Sequence, residues 1–374
     1  MSNRRLGVAL IGCGRVAPNH VSALADHHRD LRLVSTCDIN QDKAEALRHR
    51  YLQKLSQSAT DVAPEPVGVV QDYRRLLDNP SIDIVAIATD SGSHARIALD
   101  ALEAGKHVLV EKPMALDTRD ARRMKAVAEA RNLRLGLCHQ NRFNPPVQLL
   151  RRRLEAGEMG RLLYGTINVR WSRDDSYYRA DDWRGTYAQD GGCLMNQSIH
   201  GIDLLLWMLG DAERVYAETD TFLRSIEAED TALAVVRFRD GAMGIIEGTT
   251  CIYPTNLEET LNIFGSTGTC CLGGVAVNKV EKLVTAQSNS CTETDGASQK
   301  VDSVYGKGHS PLYKDFADAV RTGGKPYVDA EAGFRAVEMI LAIYKSAALG
   351  EPVTFPLGDY STLEAKDDYL RCRR

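Results

Sequence analysis

The chain has 374 residues, 44% hydrophobic and 26% charged, enough for two domains with buried cores. Its formal charge of −4 gives no electrostatic reason to expect nucleic acid or an anionic membrane surface as a partner. No apolar run approaches the roughly 20 residues that span a bilayer, and Met1-Ser2-Asn3-Arg4-Arg5 runs into a strand-like segment without the marks of a signal peptide, so a cytoplasmic location is expected.

The first part alternates short apolar strands with helices. Leu6–Ile11 reads as a strand ending in glycine, and 16–25 reads as a helix. Between them lies the turn Gly12-x-Gly14-x-x-Ala17. In this context Gly12 makes the tight bend, Gly14 lets backbone approach a pyrophosphate, and Ala17 permits close helix–strand packing, with the helix N-terminus facing the phosphates. Cys13, Arg15 and Val16 complete the turn and share its role as cofactor-binding candidates. A second strand, 31–37, ends at Asp38. A carboxylate there accepts hydrogen bonds from the ribose hydroxyls of NAD and repels the 2′-phosphate of NADP; the alternative is a turn former before Asn40. NAD is the expected cofactor.

A helix over 42–55 and a polar, proline-containing surface loop over 56–66 follow. The buried strand 82–88 then leads into Thr89-Asp90-Ser91-Gly92-Ser93-His94 at the carboxyl edge of the sheet, where ligands bind in open α/β folds. Thr89, Ser91 and His94 are cofactor candidates; His94 either lines the cofactor or is a surface residue in the first turn of helix 93–104. Strand 107–111 ends in Glu111-Lys112-Pro113. A lysine at that strand end can hydrogen-bond a substrate hydroxyl and stabilise its developing alkoxide. Lys112 is therefore a candidate for catalysis and for contact with substrate and cofactor, with Glu111 beside it. Helix 117–131 and strand 133–137 complete a parallel, doubly wound sheet, a dinucleotide-binding domain over 1–140.

From 141 to 374 the texture changes. Leu163, Gly165, Ile167, Val169 and Trp171 alternate with Tyr164, Thr166, Asn168 and Arg170, the pattern of a half-buried strand. Strands are expected over 214–222, 231–238, 242–250, 259–264 and 269–277, with Asp240-Gly241 as a hairpin turn. Together they form a large open, mainly antiparallel sheet, one face covered by helices at 198–209, 312–322 and 330–348. Gln140, Asn141 and Arg142 are a dense polar group at the start of this part; Gln140 and Arg142 are cofactor candidates. His139 either lies below a nicotinamide or packs. Arg170, Tyr177 and Tyr178 belong to a polar–aromatic concentration that suits an anionic sugar or a stacked base. Arg151-Arg152-Arg153 reads as a solvated helix face. Asn196 and His200 are four residues apart and share a helical face, with His200 as general base and Asp203 placed to orient its ring.

The nine cysteines form no Cys-x-x-Cys and read as small buried hydrophobes. No run of Cys, His and carboxylate ligands suggests a metal.

The Gly12 turn, Ala-Leu-Glu-Ala-Gly-Lys-His-Val-Leu-Val-Glu-Lys-Pro at 101–113 and the stretch 191–203 resemble the glucose–fructose oxidoreductase and inositol dehydrogenase family, over nearly the whole chain. The resemblance implies a Rossmann domain followed by an α+β domain with an open sheet, catalysis by Lys112 and His200, and assembly through that sheet, most often as a tetramer. Many members carry aspartate where this chain has Asn196. The stretches 139–145, 182–186 and 194–200 are similar to a narrower group that oxidises the C3 hydroxyl of a UDP-sugar acid, UDP-N-acetyl-2-amino-2-deoxyglucuronate, in bacterial surface-polysaccharide synthesis. In that group Lys112, Arg170, Tyr177, Tyr178, Asn196 and His200 are the substrate candidates of this chain. Some relatives recycle bound NAD with 2-oxoglutarate, and sequence does not set the recycling mode. The competing readings are an inositol or aldose dehydrogenase and a non-catalytic NAD-binding regulator.

Overall fold

A computed structural model describes residues 4–58, 65–287, 297–300 and 306–372. Residues 59–64 of the expected surface loop, and Cys291, lie outside the described residues. The chain divides into two compact units. The first comprises Met1–Ala115, Asp120–Cys138 and His309–Gly333; the second comprises Leu116–Arg119, His139–Gly308 and Phe334–Arg374. Where the sequence reading draws one cut after residue 140, the units are thus interleaved.

In the first unit, β1 (Leu6–Ile11), α1 (Ala17–Asp26), β2 (Leu31–Cys37), α2 (Gln41–Ser58), β3 (Gly68–Val70), α3 (Arg74–Leu77), β4 (Ile84–Ile87), α4 (His94–Glu103), β5 (His107–Val110), α5 (Thr118–Ala130) and β6 (Leu135–Leu137) alternate, all as expected save the short β3 and α3, which the sequence does not announce. All strand pairs are parallel, in the order β3-β2-β1-β4-β5-β6. Chain order reverses between β1 and β4, the point at which such sheets bind ligands beyond their carboxyl ends. The strands read as unbroken apolar runs because helices cover both faces, and β4 is buried throughout. The helix His309–Thr322, α9 in chain order, belongs to this unit and packs on α1. The segment 312–322, expected over the second sheet, thus belongs to the first unit.

The second unit holds α6 (Pro145–Glu155), β7 (Leu162–Arg170), α7 (Asp175–Arg179), α8 (Ile199–Leu209), β8 (Ala212–Asp220), β9 (Thr231–Phe238), β10 (Met243–Thr249), β11 (Glu258–Gly265), β12 (Gly268–Gly273), β13 (Lys279–Thr285), most of α10 (Ala330–Leu349), β14 (Val353–Thr354) and α11 (Thr362–Cys372). Its sheet runs β13-β12-β11-β7-β10-β9-β8-β14; β7 and β10 pair in parallel and the other pairs are antiparallel. Asp240 and Gly241 turn between β9 and β10, with Gly241 at φ +88°. Strand β12 stops at Gly273, short of the expected 277, and β13, β14 and α11 were not anticipated.

Alternation assigns the faces of this sheet. Ile167 and Val169 are buried under α8, so closely that a Cβ on Gly201 would stand 2.6 Å from Ile167 Cγ1. The opposite phase carries Tyr164, Leu233, Val235, Met243 and Ile245, all exposed. Tyr164 stacks on Phe264 across β7 and β11, with ring centroids 4.4 Å apart.

Candidate active site

The glycine turn of the first unit has the geometry its sequence requires. Gly12 adopts φ +91°, and a Cβ there would collide with the Ala88 carbonyl at 2.4 Å and the Thr89 nitrogen at 2.6 Å. Gly14 has nothing within 4 Å of an added Cβ, so its face is open for close approach of a phosphate. The Cys13 N–H donates to one Asp38 oxygen (2.8 Å) and the Asn40 N–H to the other (2.9 Å). The two readings of Asp38 therefore merge, because the contacts that make it a turn former also fix its carboxylate at the end of β2. Arg15 is exposed and Val16 half-buried. These features fit a dinucleotide.

At the end of β4, Asp90 caps the short turn Ser91–Ser93 through the Ser93 N–H (3.0 Å). Ser91 is buried and Thr89 half-buried. His94 is not a surface residue: it is buried, with Nδ1 2.7 Å from the Pro113 carbonyl and Nε2 3.3 Å from that of Thr89. Burial lowers its pKa and keeps it neutral, so the shorter contact takes the N–H.

Glu111 sits one residue beyond β5, fully enclosed. Its Oε1 accepts from His20 Nε2 (3.1 Å) and His309 Nε2 (3.3 Å), and its Oε2 from the Lys112 backbone N–H (3.3 Å). Tyr313 Oη lies 2.7 Å from His20 Nδ1. Burial alone pushes a carboxyl up; here the two imidazoles outweigh it and hold Glu111 well below the usual range. His20 itself is lowered by burial. A neutral His20 that donates to Glu111 and accepts from Tyr313 satisfies every group. Cys138 Sγ joins the cluster, so the fold brings three metal-capable atoms, from His20, Glu111 and Cys138, within 4.8 Å of one another, a grouping invisible in sequence. Lys112 follows, half-buried, at the carboxyl edge of the sheet.

In the second unit, Gln140–Phe143 forms a short 3-10 turn. Arg142 is locked by a bidentate pair to Asp203 (2.6 and 2.7 Å) and lies 4.8 Å from the Trp207 ring. Asp203 thus braces Arg142, where the sequence reading had it orienting His200. His200 is the second residue of α8 and is 8% exposed. Its ring meets His139 edge-on at 5.6 Å, and Nε2 lies 3.5 Å from Gln140 Nε2. The turn before it, Leu194–Ser198, is a π-turn, a feature often found at functional sites. Asn196 donates to Asp190, and Gln197 Nε2 donates to Tyr177 Oη (3.1 Å). Tyr178 is buried, its hydroxyl 3.0 Å from Thr250 Oγ1.

Arg170 does not join this group. It lies on the sheet face opposite α8, held by Glu247 (2.6 Å to each oxygen) and Glu258 (2.6 Å). Two carboxyls in this unit escaped the sequence reading. Glu229 accepts from the Leu194 N–H (2.8 Å) and Tyr344 Oη (3.1 Å) at the start of the His200 segment, and burial pushes it up to about 7. Glu259 faces inward from β11 and meets Asn141 Nδ2 at 3.5 Å; burial pushes it to about 8. A signal for Glu259 existed: it shares the inward phase of its strand with Leu261 and Ile263.

Residues 6–139 match the model of an oxidoreductase family with an NAD-binding Rossmann fold, and residues 147–271 match the GFO/IDH/MocA C-terminal domain. Two solved structures are similar over 96% of this chain. The WlbA dehydrogenase from Bordetella pertussis, in complex with NADH and UDP-GlcNAcA, is 37% identical, with 99% of it covered and a TM-score of 0.85. The WlbA dehydrogenase from Chromobacterium violaceum, in complex with the same two ligands, is 35% identical, with 98% covered and a TM-score of 0.86. Levoglucosan dehydrogenase from Pseudarthrobacter phenanthrenivorans is 29% identical over 223 residues, 53% of this chain; the chain spans 57% of that relative's length.

Proposed function

The chain belongs to the GFO/IDH/MocA family of NAD-binding oxidoreductases, and on that premise we propose that it oxidises the C3 hydroxyl of a UDP-sugar acid, UDP-N-acetyl-2-amino-2-deoxyglucuronate, to the 3-keto sugar. The observation that carries this reading is the likeness, at 37% and 35% identity over 96% of the chain, to two dehydrogenases crystallised with NADH and UDP-GlcNAcA. A product of that kind belongs to bacterial surface-polysaccharide synthesis.

NAD, when bound, would supply the hydride acceptor; the turn 12–17 would hold its pyrophosphate and Asp38 its ribose hydroxyls. His200 removes the C3 hydroxyl proton as hydride leaves the same carbon, and Lys112 hydrogen-bonds the oxygen so that charge developing there is met at once. The low exposure of His200 supports this role, because a buried base works in a local dielectric well below that of water. A non-catalytic NAD-binding regulator would need neither side chain. A second reading, an inositol or simple aldose dehydrogenase, draws on the likeness to levoglucosan dehydrogenase and, at 26% identity over 273 residues, to myo-inositol 2-dehydrogenase from Thermotoga maritima.

A screen that follows NADH absorbance with UDP-sugar acids, inositols and free sugars separates the two. Turnover confined to the UDP-sugar acid is expected, and activity on inositol alone would sink the first reading. Addition of 2-oxoglutarate tests whether NAD is recycled in place. His200→Asn and Lys112→Ala should each lower kcat by about 10²–10⁴-fold with NAD binding intact; near-full single-turnover rates in either would remove its assigned role. The exposed apolar phase of the second sheet supports assembly as a closed homo-oligomer, a tetramer by resemblance. Light scattering that gives a monomer at micromolar concentration would refute that.

A further inference from the structure

His200 and Gln197 stand one turn apart on the same helical segment, and Gln197 leads away from the reacting centre to a cluster that no catalytic step uses. Gln197 is 4% exposed; its Nε2 donates to Tyr177 Oη, while its Oε1 has no hydrogen-bond partner among the described residues. Arg184 Nη1 donates to the same Tyr177 oxygen (2.8 Å). The Arg184 guanidinium lies between the rings of Tyr177 (4.5 Å) and Trp183 (4.4 Å). Tyr177 also meets Arg173, whose guanidinium is 5.4 Å from the Tyr177 ring and 4.9 Å from that of Trp171. Two guanidiniums therefore lie within cation–π distance of one phenol ring, and each also lies over a tryptophan ring.

The two cations differ in what they can still do. The Arg184 side chain is 8% exposed and pairs with Asp181 at 3.0 Å, so it braces Tyr177 with its charge already matched. Arg173 is half-exposed, and its Nη1 donates to neutral oxygens, the Ser172 carbonyl (2.6 Å) and Asn256 Oδ1 (2.9 Å). Those contacts anchor the guanidinium without neutralising it. An oriented, partly exposed guanidinium is suited to phosphate oxygens in a planar fork. The aromatic faces beside it suit a base, and the unmatched Gln197 oxygen calls for a hydroxyl or amide N–H.

We propose that Arg173 holds the nucleotide diphosphate of the substrate, that Arg184 and Tyr177 position it, and that Gln197 carries recognition onward to the sugar ring on which His200 acts. This rests on the reading of the substrate as a nucleotide sugar. It is tested by titration calorimetry with UDP alone on the full chain loaded with NAD, at one fixed salt concentration. Wild type binds UDP. Arg173→Ala weakens that affinity by about 10- to 100-fold, the worth of one or two charge-assisted hydrogen bonds, with NAD affinity within twofold. KM for the UDP-sugar acid rises by a similar factor. Arg173→Lys keeps the charge but not the fork and recovers only part of the loss; it is the readout if the alanine variant does not fold. UDP affinity unchanged in both variants overturns the assignment and leaves the UDP-sugar reading standing. Wild type that neither binds UDP nor oxidises a UDP-sugar acid overturns that reading and this assignment with it.

Discussion

Glu111 in the first unit and Glu229 and Glu259 in the second are all sealed from solvent, yet burial leaves them in opposite states. Glu111 stays ionised, while Glu229 is pushed up to about 7 and Glu259 to about 8. Depth does not separate them, since burial raises all three. The donors do. Glu111 receives two imidazole N–H groups and a backbone N–H. Glu229 receives one backbone N–H and one phenol, and Glu259 a single long amide contact. The difference maps onto the proposed chemistry. A fixed negative charge stands one residue before Lys112, and a carboxyl that can be neutral stands where the His200 segment begins.

The largest expected effect comes from breaking the Glu111 side of this contrast. Glu111→Ala strands the donors of His20 and His309 in a dry interior, and each buried donor left unsatisfied costs about 1–3 kcal/mol. Urea unfolding should show it, with Glu111→Gln milder because an acceptor remains. A loss below about 1 kcal/mol in the alanine variant would mean the network does not hold that corner together. A smaller effect is expected at Gly192, where an added Cβ would meet Glu229 Oε2 at 1.8 Å and the Glu229 backbone oxygen at 2.4 Å. Gly192→Ala should cost about 1–3 kcal/mol by overpacking. Adding Glu229→Ala should relieve only the side-chain part, because the backbone oxygen stays. Full rescue in the double variant would show that the carboxyl alone sets the fit.

What sequence could and could not reveal divides along the same line. The glycine turn, Asp38 and the strand ends at 89 and 112 were legible because each depends on a few neighbouring residues and one backbone demand, as at Gly12. The face of Arg170 was also legible, because the alternation sets it opposite Val169 and Trp171; its partners Glu247 and Glu258 were not, because they come from the register of β7 with β10 and β11. The Glu111 cluster was not. His20 and His309 are 91 and 198 residues from Glu111, and no local pattern predicts such a meeting. Helix α9 shows the limit from another side. Its amphipathic spacing announces a buried face but not which unit that face packs on. The short edge strand β14, Val353–Thr354, and the charge-mixed β13 carry too little periodicity to be read.

The sharpest form of the contrast is a pH profile of stability. A carboxyl held below its ordinary 4.5, as Glu111 is, favours the folded state above that value, and the benefit is lost as acid protonates it. A carboxyl held above 4.5 acts the other way. In the window from 4.5 to about 7 for Glu229, and to about 8 for Glu259, the folded chain binds a proton that the unfolded chain has released. Stability then falls as pH rises, by up to about 1.4 kcal/mol per pH unit per group. Glu229→Gln and Glu259→Gln cannot lose that proton. Each should match wild type near pH 5, gain on it steadily, and level off near pH 7 and pH 8 respectively. Glu111→Gln should instead flatten the acid limb and leave the neutral slope alone. Urea midpoints at half-unit intervals between pH 4 and pH 9 read all three. Curves for the Glu229 and Glu259 variants that run parallel to wild type would show both groups already ionised in the folded chain, and the contrast with Glu111 would disappear.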